Sequence, residues 1–108
     1  MAKIDNHAVV LGASMAGVLA ARVLIGFYER VTVVDRDTMP TVMGQHRRGV
    51  PHGRHLHGLL PRGLQVLEEL FPGLITELIA HGAPTGDILA DGRWILSGHE
   101  LRRAPTGN

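Results

Sequence analysis

Apolar positions divide the first third of the chain into two short runs with a longer periodic one between them. His7–Leu11 (HAVVL) is a continuous apolar run of strand length, the pattern of a strand buried on both faces of a parallel sheet. Gly12 ends it. From Met15 to about Tyr28, the residues Met15, Val18, Leu19, Arg22, Val23 and Phe27 recur at helical spacing, with Ala16, Ala20 and Ala21 between them, which predicts a helix. Val31–Asp35 (VTVVD) is β-branched and closes on a carboxylate. The order strand, glycine turn, helix, strand predicts a βαβ unit with a right-handed crossover.

Beyond Arg36 the period is lost. Pro40, Gly44, Gly49, Pro51 and Gly53 punctuate a polar, basic stretch that reads as a long loop as far as Arg54. Leu60, Leu64, Leu67 and Phe71 then mark one face of an amphipathic helix with Pro61 in its first turn, stopped by Pro72 and Gly73. Leu74, Ile75, Leu78 and Ile79 predict a second, shorter helix closed by Gly82 and Pro84. Asp87–Ala90 and Arg93–Leu96 flank Asp91-Gly92, a dipeptide suited to a tight hairpin turn. Two parallel strands and one antiparallel pair fall short of the usual sheet of about five or six strands, so the expectation is an incomplete domain, the front of something longer.

Composition narrows the function classes. With 44% hydrophobic and 19% charged residues over 108 positions the chain lies in the globular range. Eleven basic residues against ten acidic ones give a formal charge of +1, which argues against a nucleic-acid-binding surface. The absence of cysteine excludes a disulfide scaffold, a thiolate metal site and a cysteine nucleophile within these residues. The mostly apolar stretch 8–26 resembles a membrane span only at first sight: Asp5 and His7 precede it, Arg22 interrupts it, and Gly12, Ser14 and Gly17 divide it. The expectation is a cytoplasmic chain with no membrane span.

The candidate chemistry lies in Gly12-Ala13-Ser14-Met15-Ala16-Gly17, between the first strand and the helix. A glycine at position 12 permits a tight turn, a small residue at 14 lets a pyrophosphate approach the backbone, and Gly17 lets the helix lie close to the strand. The helix start offers unpaired N–H groups and the positive end of its dipole to phosphates. Asp35 follows Gly12 by 23 positions at the end of the second strand, where a carboxylate can accept hydrogen bonds from an adenosine ribose. The middle glycine of the fingerprint is replaced by Ser14, whose hydroxyl can still donate but whose Cβ narrows the gap. A plainer reading needs no ligand: the glycines only let helix and strand pack.

A second cluster, Gly49-Val50-Pro51-His52-Gly53-Arg54-His55-Leu56-His57-Gly58, reads as a basic loop closing over a cofactor, with Arg54 as a planar donor fork and His57 as a second donor. The same residues also suit a solvated surface loop. A metal site from His52, His55 and His57 lacks a neighbouring carboxylate or thiolate, so no metal is expected. Arg47 and Arg48 read as a basic pair in a wet loop, and Trp94 as a packing residue. No nucleophilic triad and no pair of carboxylates at glycosidase spacing is present, so redox chemistry here would belong to a cofactor.

Together, AVVLGASMAGVLAARVL, VTVVDRD and GVPHGRHLHGLLPRGLQVLEELFPGL resemble the amino-terminal part of bacterial FAD-dependent oxidoreductases, and most of all the flavoprotein monooxygenase and hydroxylase-like group. The resemblance runs from about Ala8 to Leu74, with weaker support to Arg103. It implies an α/β, Rossmann-like FAD-binding segment over residues 1–85 and the start of a substrate-domain sheet over residues 86–108. It further implies that Gly12, Ala13, Ser14, Met15, Ala16 and Gly17 line the pyrophosphate, that Asp35 holds the adenosine ribose with Arg36 beside the adenine, and that Arg54 or His57 reaches the cofactor. The implied partners are a small organic substrate and an NAD(P)H donor, with no nucleic acid. The later Gly-Asp segment by which such enzymes meet the flavin is not among these residues, so the 108-residue chain is expected to be inactive alone. Two alternatives stay open: a segment of an NAD-dependent dehydrogenase or reductase, and a non-catalytic nucleotide-binding fragment.

Overall fold

The computed structural model describes residues 2–42 and 44–107. It is mixed α/β and divides into two compact units, Met1–Gly58 and Leu59–Asn108.

In the first unit β1 (Asp5–Leu11), α1 (Met15–Leu24) and β2 (Tyr28–Val34) follow in the predicted order. β1 and β2 pair in parallel, in register from Asp5 opposite Tyr28 to Leu11 opposite Val34. The ladder is lengthened at both ends: the Ile4 amide donates to Phe27 O at 2.8 Å and the Gly12 amide to Val34 O at 2.7 Å. α1 stops four residues short of the predicted end because the amides of Gly26 and Phe27 turn back to the carbonyls of Val23 and Leu24. These shorter-range bonds tighten the last turn, and Tyr28 is drawn into β2 instead.

Side chains alternate across a strand, and paired residues share a face. His7, Val9 and Leu11 therefore lie with Arg30, Thr32 and Val34, while Ala8 and Val10 lie with Val31 and Val33. Contacts within the first set bear this out: His7 Nε2 is 2.9 Å from Thr32 Oγ1, and an Arg30 guanidinium nitrogen is 3.2 Å from His7 Nδ1. α1 packs on the second set, with Gly17 against Val10 and Ala21 buried, and leaves Val33 exposed. The first face is uncovered; Leu11 is 82% and Val9 55% exposed. The expectation that HAVVL is buried on both faces is thus corrected. A continuous apolar run also fits a strand with one covered face when the outward apolar side chains have no layer of their own.

After β2 the described residues up to 58 run as a loop that includes a 3-10 turn at Pro51–Arg54. The second unit holds α2 (Pro61–Leu70), α3 (Leu74–Ala80), β3 (Ile95–Leu96) and β4 (His99–Glu100). Pro61 opens α2 where its missing N–H costs nothing, and Leu67, at the centre of the leucine stripe, is buried. Glu68 ties the two helices together. Its carboxylate accepts from the Gly73 amide at 2.6 Å and the Ile75 amide at 3.0 Å, satisfying donors at the start of α3. Those two bonds hold the Glu68 carboxyl below its usual range.

The hairpin lies one turn signal later than predicted. Asp87–Ala90 is not a strand, and Asp91-Gly92 is not its tip. Asp87 Oδ1 accepts from the amides of Leu89 and Ala90, both at 2.9 Å, and the Asp91 amide reaches Asp87 O at 2.8 Å, which winds this stretch into a turn. The Trp94 indole N–H closes it by donating to Ile88 O at 2.7 Å. The true tip is Ser97-Gly98, with φ of 49° and 81°, the paired left-handed residues of a type I′ turn. Ile95 then lies opposite Glu100, and Leu96 opposite His99.

Leu67→Ala is expected to cost the second unit about 2 kcal/mol, measured by urea unfolding followed through helical circular dichroism. The Glu68 contribution has a definite sign. A depressed carboxyl stabilises above its unfolded value and loses that contribution as pH falls through the lowered one, so acid titration should release α3 in wild type and leave Glu68→Gln without that step.

Candidate functional site

The turn from β1 into α1 is built by close approach. Gly12 has φ of +100°, a conformation that favours glycine. A Cβ on Gly17 would fall 1.7 Å from Gly12 O, so no side chain fits at position 17 while the turn keeps its shape. Ser14 is the N-cap in extended conformation, and its carbonyl accepts the first helical bond from the Val18 amide at 3.0 Å. Its hydroxyl makes no capping bond. The amides of Met15, Ala16 and Gly17 precede that first helical bond and are donors without helical partners.

Asp35, immediately past β2, faces this turn. Its Oδ2 accepts from the Ala13 amide at 2.7 Å, and its Oδ1 accepts from the Asp37 amide at 2.7 Å. The two backbone amides, with the Arg47 guanidinium beside them, lower the Asp35 carboxyl to about 2. Arg47 lies across the same spot. One of its terminal nitrogens donates to Ala13 O at 2.6 Å, the other is 2.8 Å from Asp35 Oδ2, and Nε stands 3.5 Å from Asp37 Oδ2. Asp37 Oδ2 in turn accepts from the Gly49 amide at 2.8 Å. The two peptide groups that flank Ala13 are thus both held, the N–H of the first by Asp35 and the carbonyl of the second by Arg47.

A cleft of about 420 Å³ opens between these groups, lined by the turn at Gly12 and Ser14, by Asp35 and Arg36, and by Arg47 and Gly49 from the loop. Its volume is within the range of small-molecule sites, about 300–1,000 Å³. A second cavity of about 500 Å³ shares Arg36, Asp37 and Arg47 with it and is lined also by His46 and Arg48.

The predicted residues therefore separate into two groups. Gly12, Ala13, Ser14, Met15, Ala16, Gly17 and Asp35 come together at one turn, and Arg36, exposed, lines the cleft beside them. Arg54 lies in the exposed 3-10 turn, and His57 stands edge-on to His52 with ring centroids 5.7 Å apart; neither lines the cleft. Among the described residues no group of three His, Cys, Asp or Glu side chains could hold a metal ion. Arg47, read from sequence as a solvated loop residue, is instead a central one, its side chain only 15% exposed. Its partners lie 34, 12 and 10 positions away along the chain, and the one local hint is the Asp35-Arg36-Asp37 pattern at the strand end.

No family model matches the chain. It is similar to Protein Rv3254 of Mycobacterium tuberculosis (strain ATCC 25618 / H37Rv), at 45% identity over 105 residues that cover 91% of this chain and 22% of that protein. The chain spans about a fifth of the length of this curated relative. No helix among the described residues is long and apolar enough to cross a membrane.

Gly17→Ala places a methyl group on the Gly12 carbonyl and is expected to destabilise the first unit by about 3 kcal/mol, measured as a shift in the urea midpoint. Asp35 gives a pH signature. Its lowered value means that its contribution is present above the ordinary carboxylate value and disappears as pH falls from near 4 towards 2. The Ala13 and Asp37 amide resonances should shift together in that window, and Asp35→Asn should abolish the shared transition.

Proposed function

We propose that this chain is the FAD-binding amino-terminal segment of an FAD-dependent oxidoreductase, with a flavoprotein monooxygenase as the reaction class of the whole enzyme. The observation that carries the proposal is the coincidence, at one turn, of the Gly12–Gly17 close approach and the Asp35 carboxylate. A Rossmann-like phosphate turn needs both: a backbone free of side chains where the diphosphate approaches, and an acceptor one strand over for the ribose. The free amides of Met15, Ala16 and Gly17 and the helix dipole supply the attraction for the diphosphate. Arg36 lines the cleft wall, and in this reading it meets the adenine edge.

The flavin, when bound, supplies the redox chemistry, with NAD(P)H as its electron donor. What these residues contribute is narrower. They hold the adenosine and diphosphate half of the cofactor, fix its direction along α1 and keep side chains out of the turn. Arg54 and His57 have no part in this cleft, and the substrate pocket belongs to the rest of the enzyme.

One observation favours a second reading, in which the glycines and Asp35 serve packing alone: both carboxylate oxygens of Asp35 are already engaged within the chain. Ligand binding separates the two. FAD at about a hundred times its Kd should stabilise the first unit by about 2.7 kcal/mol, read as a rise in Tm with quenching of flavin fluorescence. Asp35→Ala should remove the effect. A rise with NADH and none with FAD would point to a dehydrogenase segment, and no rise with either would leave packing as the role of the turn.

A further inference from the structure

We propose that Arg47 is an internal competitor for the Asp35 carboxylate, so that in the free chain the acceptor on the cleft wall is already occupied and a ribose enters by displacing the guanidinium. The inference rests on the dinucleotide reading given above and adds to it a device that sets the affinity of the site.

Acceptor capacity is the first ground. An ionised carboxylate offers about four lone-pair sites on two oxygens. The Ala13 amide and the Arg47 guanidinium share Oδ2, and the Asp37 amide takes one site on Oδ1. One site remains, whereas a ribose diol brings two hydroxyl donors. An occupant must leave for both to be accepted. The two amides belong to backbone fixed by the glycine turn and the strand end; Arg47 arrives on a long side chain from the loop, and it alone of the three can withdraw by rotation.

The second ground is where it can go. Arg47 lines both cavities, the cleft of about 420 Å³ with Asp35 and the adjoining one of about 500 Å³ that opens towards Thr38 and Arg48. The guanidinium can therefore cross from one to the other without the loop detaching, because the Gly49 amide stays bound to Asp37 Oδ2. The paired state also carries a cost that eases release. Arg47 Nε is buried with the Asp37 carboxylate at ion-pair distance, 3.5 Å, but makes no hydrogen bond, and a buried donor left without one weakens the arrangement that contains it.

The test uses the 108-residue chain, wild type and Arg47→Met, with adenosine as the probe, because adenosine carries the diol and no phosphate. Calorimetric titration should show adenosine binding about tenfold tighter to Arg47→Met, a difference of about 1.4 kcal/mol. The gain should vanish with 2′,3′-dideoxyadenosine. Adenosine binding that is unchanged or weaker in Arg47→Met while wild type still binds FAD overturns the competition and leaves the dinucleotide reading standing. Failure of FAD and adenosine to bind either form overturns both. If Arg47→Met does not melt cooperatively, hydrogen exchange of the Arg47 guanidinium in wild type decides. Exchange that is slow in the free chain and accelerates as adenosine saturates supports displacement; a rate unmoved by adenosine overturns it.

Discussion

A single carboxylate joins the three parts of the first unit. Asp35 stands where β2 ends, and its two oxygens reach back to the glycine turn, forward to the loop amide of Asp37, and across to Arg47. The turn at Gly12 and Gly17 is shaped by steric exclusion, but exclusion alone only permits a conformation. The Ala13–Asp35 bond selects it, and the Arg47 contact with Ala13 O holds the next peptide group along the turn. With Ala21 the only apolar side chain of α1 classed as buried, these polar ties carry a larger share of the order in this region than a deep core would leave to them.

The same economy appears in the second unit. Leu67 supplies the buried apolar contact, and two carboxylates organise the backbone around it: Glu68 at the start of α3, and Asp87 across the turn before the hairpin. Asp87 Oδ2 also accepts from the amide and hydroxyl of Thr106, both at 2.6 Å, which anchors the polar tail that follows β4. These bonds depress the Asp87 carboxyl well below its usual range, as donors to a charged acceptor do. Across both units acidic side chains satisfy backbone donors at the ends of elements, where regular secondary structure leaves them unpaired.

How far this was legible in the sequence follows from the range of the interactions. β1, α1, β2, α2 and α3 are written in periodicities and stop signals a few residues apart, and each was found where the pattern put it, apart from end shifts, chiefly at β1, α1 and β2. The position of Asp35 was legible because a carboxylate closing a β-branched run is a local signal. The hairpin was misplaced because two turn dipeptides compete: Asp91-Gly92 is the stronger in isolation, yet the Asp87 side chain captures the preceding amides and leaves Ser97-Gly98 to make the reversal. Arg47 was all but illegible. Nothing in the residues next to it on the chain distinguishes a guanidinium bound for Ala13 from one left in water, and the Asp35-Arg36-Asp37 pattern ten to twelve positions back does not say which arginine it receives.

The pairing of Asp5 with Tyr28 carries a kinetic consequence. β1 and β2 can zip only after the whole of α1 has been looped between them, so the first unit must meet the entropy of that closure before any ladder bond offsets it. The helix pair and the Ser97-Gly98 hairpin require only neighbours along the chain. Low contact order favours speed, so in refolding the carboxyl-terminal half is expected to be ordered first, with the glycine turn among the last features to acquire its final geometry.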